Sequence, residues 1–296
     1  MIYSIKNLNP IIKYFLRIRV IKKKNIYLFH NKTRDKKIKV LKCIKTGIIF
    51  LEKVFTNDKY YKNAKTNFNL NYFNFNSYKS KVLDDDSRRF FQFKKYIKKN
   101  ILDFGCGYGG FLNYARSISQ NVYGYELSKH ALNYIKKKYK NVSVIDSYKN
   151  INLKFNLITL FHVLEHIPSQ VNILRDLKKI LTSNGKIIVE VPSAHDFLLK
   201  FEKLNDFKNF TFWSEHLVLH TEVSLKLILK KAGFSKIKII HYQRYNFNNH
   251  LGWFINKTPG GHEYFKRLGD HKIIDDYNKF VIRKNFSDTL IAIASK

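Results

Sequence analysis

The chain of 296 residues is 45% hydrophobic and carries 55 Lys and Arg against 22 Asp and Glu, a formal net charge of +33. That apolar content can bury one full core and a smaller appended one, as a folded, ligand-holding protein requires. Two cysteines, Cys43 and Cys106, exclude a disulfide framework and fit a reducing cytoplasm, and no run reaches the ~18 apolar residues needed to span a bilayer. The charge by itself points to nucleic acid or an anionic surface. Only ten of the basic residues are arginine, however, whereas phosphate and base recognition favours arginine. Lys, Asn, Ile, Tyr and Phe are abundant while Gly, Pro, Met and Trp are scarce, which biased base composition alone produces, so nucleic acid is disfavoured as a partner.

In chain order, Ile11 to Val20 is apolar but interrupted by Lys13, Arg17 and Arg19, a poor signal peptide. It reads as a basic amphipathic helix, packed on the domain in preference to resting on a membrane surface, the one membrane contact that the sequence offers. Residues 57–81 read as loop with short aromatic anchors. From Ser87 the pattern changes: Phe90, Phe93 and Ile97 suit a helix leading into a strand from Ile101 to Phe104. A helix from Phe111 to Ser119 is expected next, then a strand Asn121 to Tyr125, a helix Lys129 to Tyr139 and a strand Val142 to Ile145. A strand Phe155 to Phe161 follows, then a helix Gln170 to Leu181, a turn at Ser183-Asn184-Gly185 and a strand Lys186 to Val191. Thr221 can cap a helix Glu222 to Ala232 that Gly233 ends. Strands Ser235 to His241 and Thr289 to Ala294 complete the pattern, the last with almost no helix before it and so free to enter antiparallel.

Strands alternating with helices at this spacing predict an α/β, doubly wound, mostly parallel sheet. The expected division is an N-terminal segment (1–86), a core (87–241), a lid insertion (242–287) and a last core strand (288–296).

The run Ile101-Leu102-Asp103-Phe104-Gly105-Cys106-Gly107-Tyr108-Gly109-Gly110 describes a buried strand turning sharply into a helix, with a ligand passing close to the backbone. Gly105, Gly107 and Gly110 fit the dinucleotide spacing GxGxxG. Asp103, Gly105, Gly107 and Gly109 fit DxGxGxG, the first motif of S-adenosylmethionine (SAM) methyltransferases. An acid at Asp103 would repel a pyrophosphate but can accept from an amino group. Glu126, ending the next strand, can accept both ribose hydroxyls in either cofactor class. Asp146, ending the third, can take an adenine amino group.

The stretch Phe161-His162-Val163-Leu164-Glu165-His166-Ile167-Pro168 resembles the fourth motif of class I SAM-dependent methyltransferases, in the branch related to ubiquinone-biosynthesis O-methyltransferases. Leu177 to Pro192 looks like that family's following helix, turn and fifth strand. The resemblance implies a Rossmann-like seven-stranded sheet with an antiparallel last strand. It also implies SAM as cofactor, held by Asp103, Gly105, Cys106, Gly107, Gly109, Glu126, Leu127, Asp146, Phe161 and His162. Lys39 to Phe50 is similar to the second half of the zinc ribbon of sugar-nucleotide C-methyltransferases. Only Cys43 of its expected ligands is present, and Thr46 replaces the second cysteine, so no metal is expected. In that group a histidine after strand four and a later Glu-His pair line the reaction site, which implies catalytic roles for His166, Glu215 and His216.

The chemistry supplies the same residues with a reason. Methyl transfer needs an in-line acceptor and a base to take its proton, and histidine titrates near neutrality. His166 is the expected base, with His216 second and Glu215 orienting an imidazole. Arg244 and the polar, aromatic stretch that follows it suit a hydroxyl-rich small molecule. The expected substrate is a sugar-like or other polar small molecule, with RNA or DNA methylation and a non-catalytic SAM-binding module as alternatives.

Overall fold

The computed structural model describes residues 9–63, 75–149, 151–265 and 270–296. Its strands, in chain order, are β1 (Ile26–His30), β2 (Val40–Cys43), β3 (Ile49–Leu51), β4 (Asn100–Phe104), β5 (Asn121–Tyr125), β6 (Ser143–Val144), β7 (Phe155–Phe161), β8 (Leu181–Pro192), β9 (Val218–Leu219), β10 (Ser235–Tyr242) and β11 (Thr289–Ser295). Seven of them form one sheet in the order β10-β11-β8-β7-β4-β5-β6. β4 to β8 run parallel, and β11 is antiparallel to both its neighbours, as the Rossmann-like expectation required. Leu157, Ile158, Leu160, Ile187, Ile188 and Val189 are all buried, because helices cover both faces of a parallel sheet. Chain order reverses between β4 and β7, and the crevice beyond their carboxyl ends is where such sheets take ligands.

Several elements differ from the sequence expectation. The turn at Ser183-Asn184-Gly185 is a bulge inside β8: Phe155 pairs with Leu181 and Leu157 with Lys186, so the extra residues loop out without ending the strand. The last strand is antiparallel although a helix, His271–Arg283, does precede it. Within 57–81, Asp58–Asn63 is helical and a long helix, Phe75–Phe93, begins before Ser87 and runs through the expected boundary at 86–87. Residues 64–74 of that stretch lie outside the described residues. The expected helix after the glycine run is shorter, Gly110–Ala115.

The N-terminal helix is Pro10–Arg17, capped by the Asn9 side chain. Its Ile11, Ile12 and Phe15 are buried in the same core cluster as Phe50, Leu160 and Val189. That apolar face packs on the domain, the arrangement preferred from the sequence. Among the described residues no helix is long and apolar enough to cross a membrane. A second, antiparallel sheet has the order β1-β2-β3-β9, so residues from within the core complete the N-terminal sheet. Cys43 is buried in apolar surroundings there, and the Thr46 carbonyl accepts from Thr221 Oγ1 at 2.5 Å.

Candidate active site

A cavity of about 470 Å³ opens at the reversal point. Its floor is the glycine loop. The amides of Gly105 and Cys106 donate to the Tyr125 carbonyl at 2.7 and 3.1 Å, tying the loop to β5. Gly105 and Gly107 have φ of +77° and +52°, values that favour glycine. A Cβ added at Gly107 would meet no protein atom within 4 Å, so the loop leaves open space for a ligand against its backbone. Glu126, ending β5, accepts from the Gly107 amide with Oε2 at 3.0 Å and from the Leu127 and Ser128 amides with Oε1 at 2.7 and 2.9 Å. Gly105, Cys106, Gly107, Tyr108, Glu126, Leu127, Phe161 and His162 all line the cavity.

Asp103 lines it as well. Its Oδ1 accepts from Thr159 Oγ1 at 2.6 Å, and burial pushes its carboxyl up to about 7. Asp146 is exposed and does not line the cavity; Tyr125 and Tyr148 form that wall instead. Gly109 also stands outside the lining. It caps the helix Gly110–Ala115 and packs against Ile135. Gly110 has a steric role, because an added Cβ would collide with the Asp86 carboxylate.

The opposite wall joins His166 to the Glu215-His216 pair. Leu217 N donates to the Glu165 carbonyl at 2.9 Å, and Leu51 N donates to the Leu217 carbonyl at 3.1 Å. The second sheet thereby holds residues 215–217 against the short turn Leu164–His166. The His166 and His216 rings meet edge to face, with centroids 5.0 Å apart. Burial pulls the His166 imidazole below its ordinary value and takes His216 down to about 3, so both are neutral at pH 7. Glu215 is 3% exposed, and burial raises its carboxyl to about 7. Tyr60 hydroxyl donates to Glu215 Oε1 at 2.7 Å, and Tyr61 hydroxyl lies 3.3 Å from His166 Nδ1. Trp213 lines the cavity while Phe212 is core, 1% exposed. Glu165, His166 and His216 bring ligand atoms within 4.8 Å of one another, a donor set that suits a divalent ion; the sequence reading gave these histidines to proton transfer.

A family profile described as a methyltransferase domain matches residues 75–239. The chain belongs to this methyltransferase-domain family. An uncharacterized protein of Methanocaldococcus jannaschii is 34% identical over 124 residues, covering 40% of this chain and 52% of that protein. A ubiquinone biosynthesis O-methyltransferase of Glaesserella parasuis is 30% identical over 105 residues, 31% of this chain and 44% of the relative. The chain thus spans about half the length of the curated relatives it matches. Among solved structures, a SAM-dependent methyltransferase of Archaeoglobus fulgidus aligns with a TM-score of 0.49 at 17% identity, over 72% of this chain and 94% of that one.

The methyltransferase domain's cavity fits SAM by its donor set: a glycine backbone without side chains, a glutamate following β5, and the buried acids Asp86 and Asp103 for an amino group. Three residues of its third wall were not singled out in the sequence: Asp85, Asp86 and Arg89, from the helix Phe75–Phe93. Arg244, which was, completes that wall and pairs with Asp85. The run Asp84-Asp85-Asp86-Ser87-Arg88-Arg89 was the available signal, since alternating blocks of opposite charge on one helix are suited to pairing inward. Tyr60 and Tyr61 carried no such signal.

Proposed function

We propose that this chain transfers a methyl group from SAM to carbon or oxygen of a sugar, nucleotide-linked or free, or of another polar small molecule, in surface-glycan assembly. The observation that carries the reading is that His166 and the Glu215-His216 pair, about fifty positions apart in sequence, line one cavity with the glycine loop. SAM, when bound, supplies an electrophilic methyl group on a sulfonium. The protein's own part is to place the acceptor and take its proton. His166 is neutral at pH 7 and so able to accept a proton, and the Tyr61 hydroxyl, 3.3 Å from Nδ1, holds the ring on this wall. Tyr60 holds Glu215 on the same wall, where its carboxyl can accept from an acceptor hydroxyl. Trp213 offers an aromatic face for a sugar ring.

Incubating the protein with isotopically labelled SAM and pools of sugar nucleotides or cell-extract small molecules, followed by mass spectrometry, should reveal a labelled polar product. His166→Ala should lower its formation ~100-fold or more while SAM binding persists. Label appearing only in nucleic acid, or undiminished turnover in the variant, would overturn the reading.

A further inference from the structure

Glu190 sits near the carboxyl end of β8 between Val189 and Val191, and it is 0% exposed. A carboxylate at such a position is tolerated only when donors surround it. Arg88 gives it Nη2 at 2.9 Å from Oε1 and Nη1 at 3.1 Å from Oε2. Arg89 adds Nη2 at 2.7 Å and Nε at 3.1 Å, both to Oε1. His162 Nε2 stands 3.4 Å from the same oxygen, and its Nδ1 is 3.1 Å from Glu165 Oε1. Burial opposes the charge, but Arg89, His162 and Arg88 together hold the carboxyl well below its ordinary range.

This hub leads to the cavity. Arg89 Nη1 donates to Asp86 Oδ1 at 3.2 Å, and the Arg89 guanidinium lies over the Phe161 ring. Both Asp86 and Arg89 line the cavity alongside Asp103. An α-amino acid carries one ammonium and one carboxylate; this wall offers it carboxylates and a guanidinium oriented by bonds from Nε, Nη1 and Nη2 to Glu190 and Asp86. Glu190 itself is not among the cavity-lining residues, so its influence on a ligand passes through the arginine fork.

We propose that Glu190 is a positioning residue that sets the Arg89–Asp86 pair at the amino-acid end of the cofactor cavity, so that preference for SAM and its demethylated product over ligands lacking that end depends on it. The proposal rests on the reading of Asp103 as a partner of the cofactor's amino group.

Calorimetric titration with two probes separates this role from general support of the fold. S-adenosylhomocysteine carries the amino-acid end, and 5′-methylthioadenosine keeps the nucleoside but lacks it. Glu190→Gln should weaken S-adenosylhomocysteine at least ~10-fold and change methylthioadenosine binding less than ~2-fold. If that variant does not fold, Arg89→Lys keeps the charge beside Glu190 but loses the fork, and the same split is expected. Equal weakening of both probes, or unchanged preference, overturns the proposal. A wild-type protein that binds neither probe overturns the cofactor reading instead.

Discussion

At the residue scale, the cavity turns on buried acids whose charge is held in check. Burial raises Asp103 to about 7 and Asp86 to about 6, so near neutrality each is partly protonated. An ammonium group binds the ionised form. Below these values binding must expel protons; above them it need not. S-adenosylhomocysteine affinity should therefore rise several-fold between about pH 5 and about pH 8 and then flatten, with proton release visible in buffers of different ionisation enthalpy. Asp103→Asn should remove the upper part of that rise. A flat profile in the wild type would exclude an ionised acid as the partner. Asp103 and Glu126 were legible in the sequence because strand-end acids follow a local rule. Asp146 obeyed the same rule yet lies exposed, because β6 is only two residues long and leaves its end outside the cavity.

At the element scale, short polar contacts join pieces that hydrophobic pattern alone does not order. Thr221 caps the helix Glu222–Lys231 in a reciprocal box with Ser224 and also donates to the Thr46 carbonyl beyond β2. Removing that hydroxyl leaves two orphaned groups in buried surroundings. Thr221→Ala should cost about 1 to 2 kcal/mol, read as a lower urea midpoint at unchanged slope. The cap and Gly233, with φ of +89°, were both legible as punctuation. The bulge in β8 was not: Ser-Asn-Gly signals a turn locally, and only pairing to β7 and β11 on either side keeps the strand continuous.

At the scale of the whole molecule, the two sheets share one core. Phe15 from the N-terminal helix meets Phe50 of β3 edge to face, centroids 6.2 Å apart, in the cluster that also contains Leu160 and Val189 of the large sheet. Phe15→Ala should remove about 3 to 5 kcal/mol and lower stability in a single transition. Two separated transitions in calorimetry would show that the sheets unfold independently. The shared core also explains how Tyr61 reaches the cavity and Tyr60 reaches Glu215: their helix follows β3, and β3 is tied through Leu217 to the turn carrying His166.

What the sequence by itself determined is local: the strand–glycine–helix run, the acids at strand ends, the His166 turn and the alternation that makes a doubly wound sheet. Each depends on residues within a few positions of one another, where backbone sterics and periodicity act directly. Tertiary structure alone decided which distant groups share the cavity. His166 is joined to Glu215 and His216 by a sheet built from β1 to β3 and β9, and Glu190, a lone acid in an apolar strand, acquires meaning only when the helix Phe75–Phe93 brings Arg88 and Arg89 onto it from 102 and 101 positions away. A buried charge reveals its role through the partners that compensate it, and those partners are chosen by packing rather than by spacing along the chain.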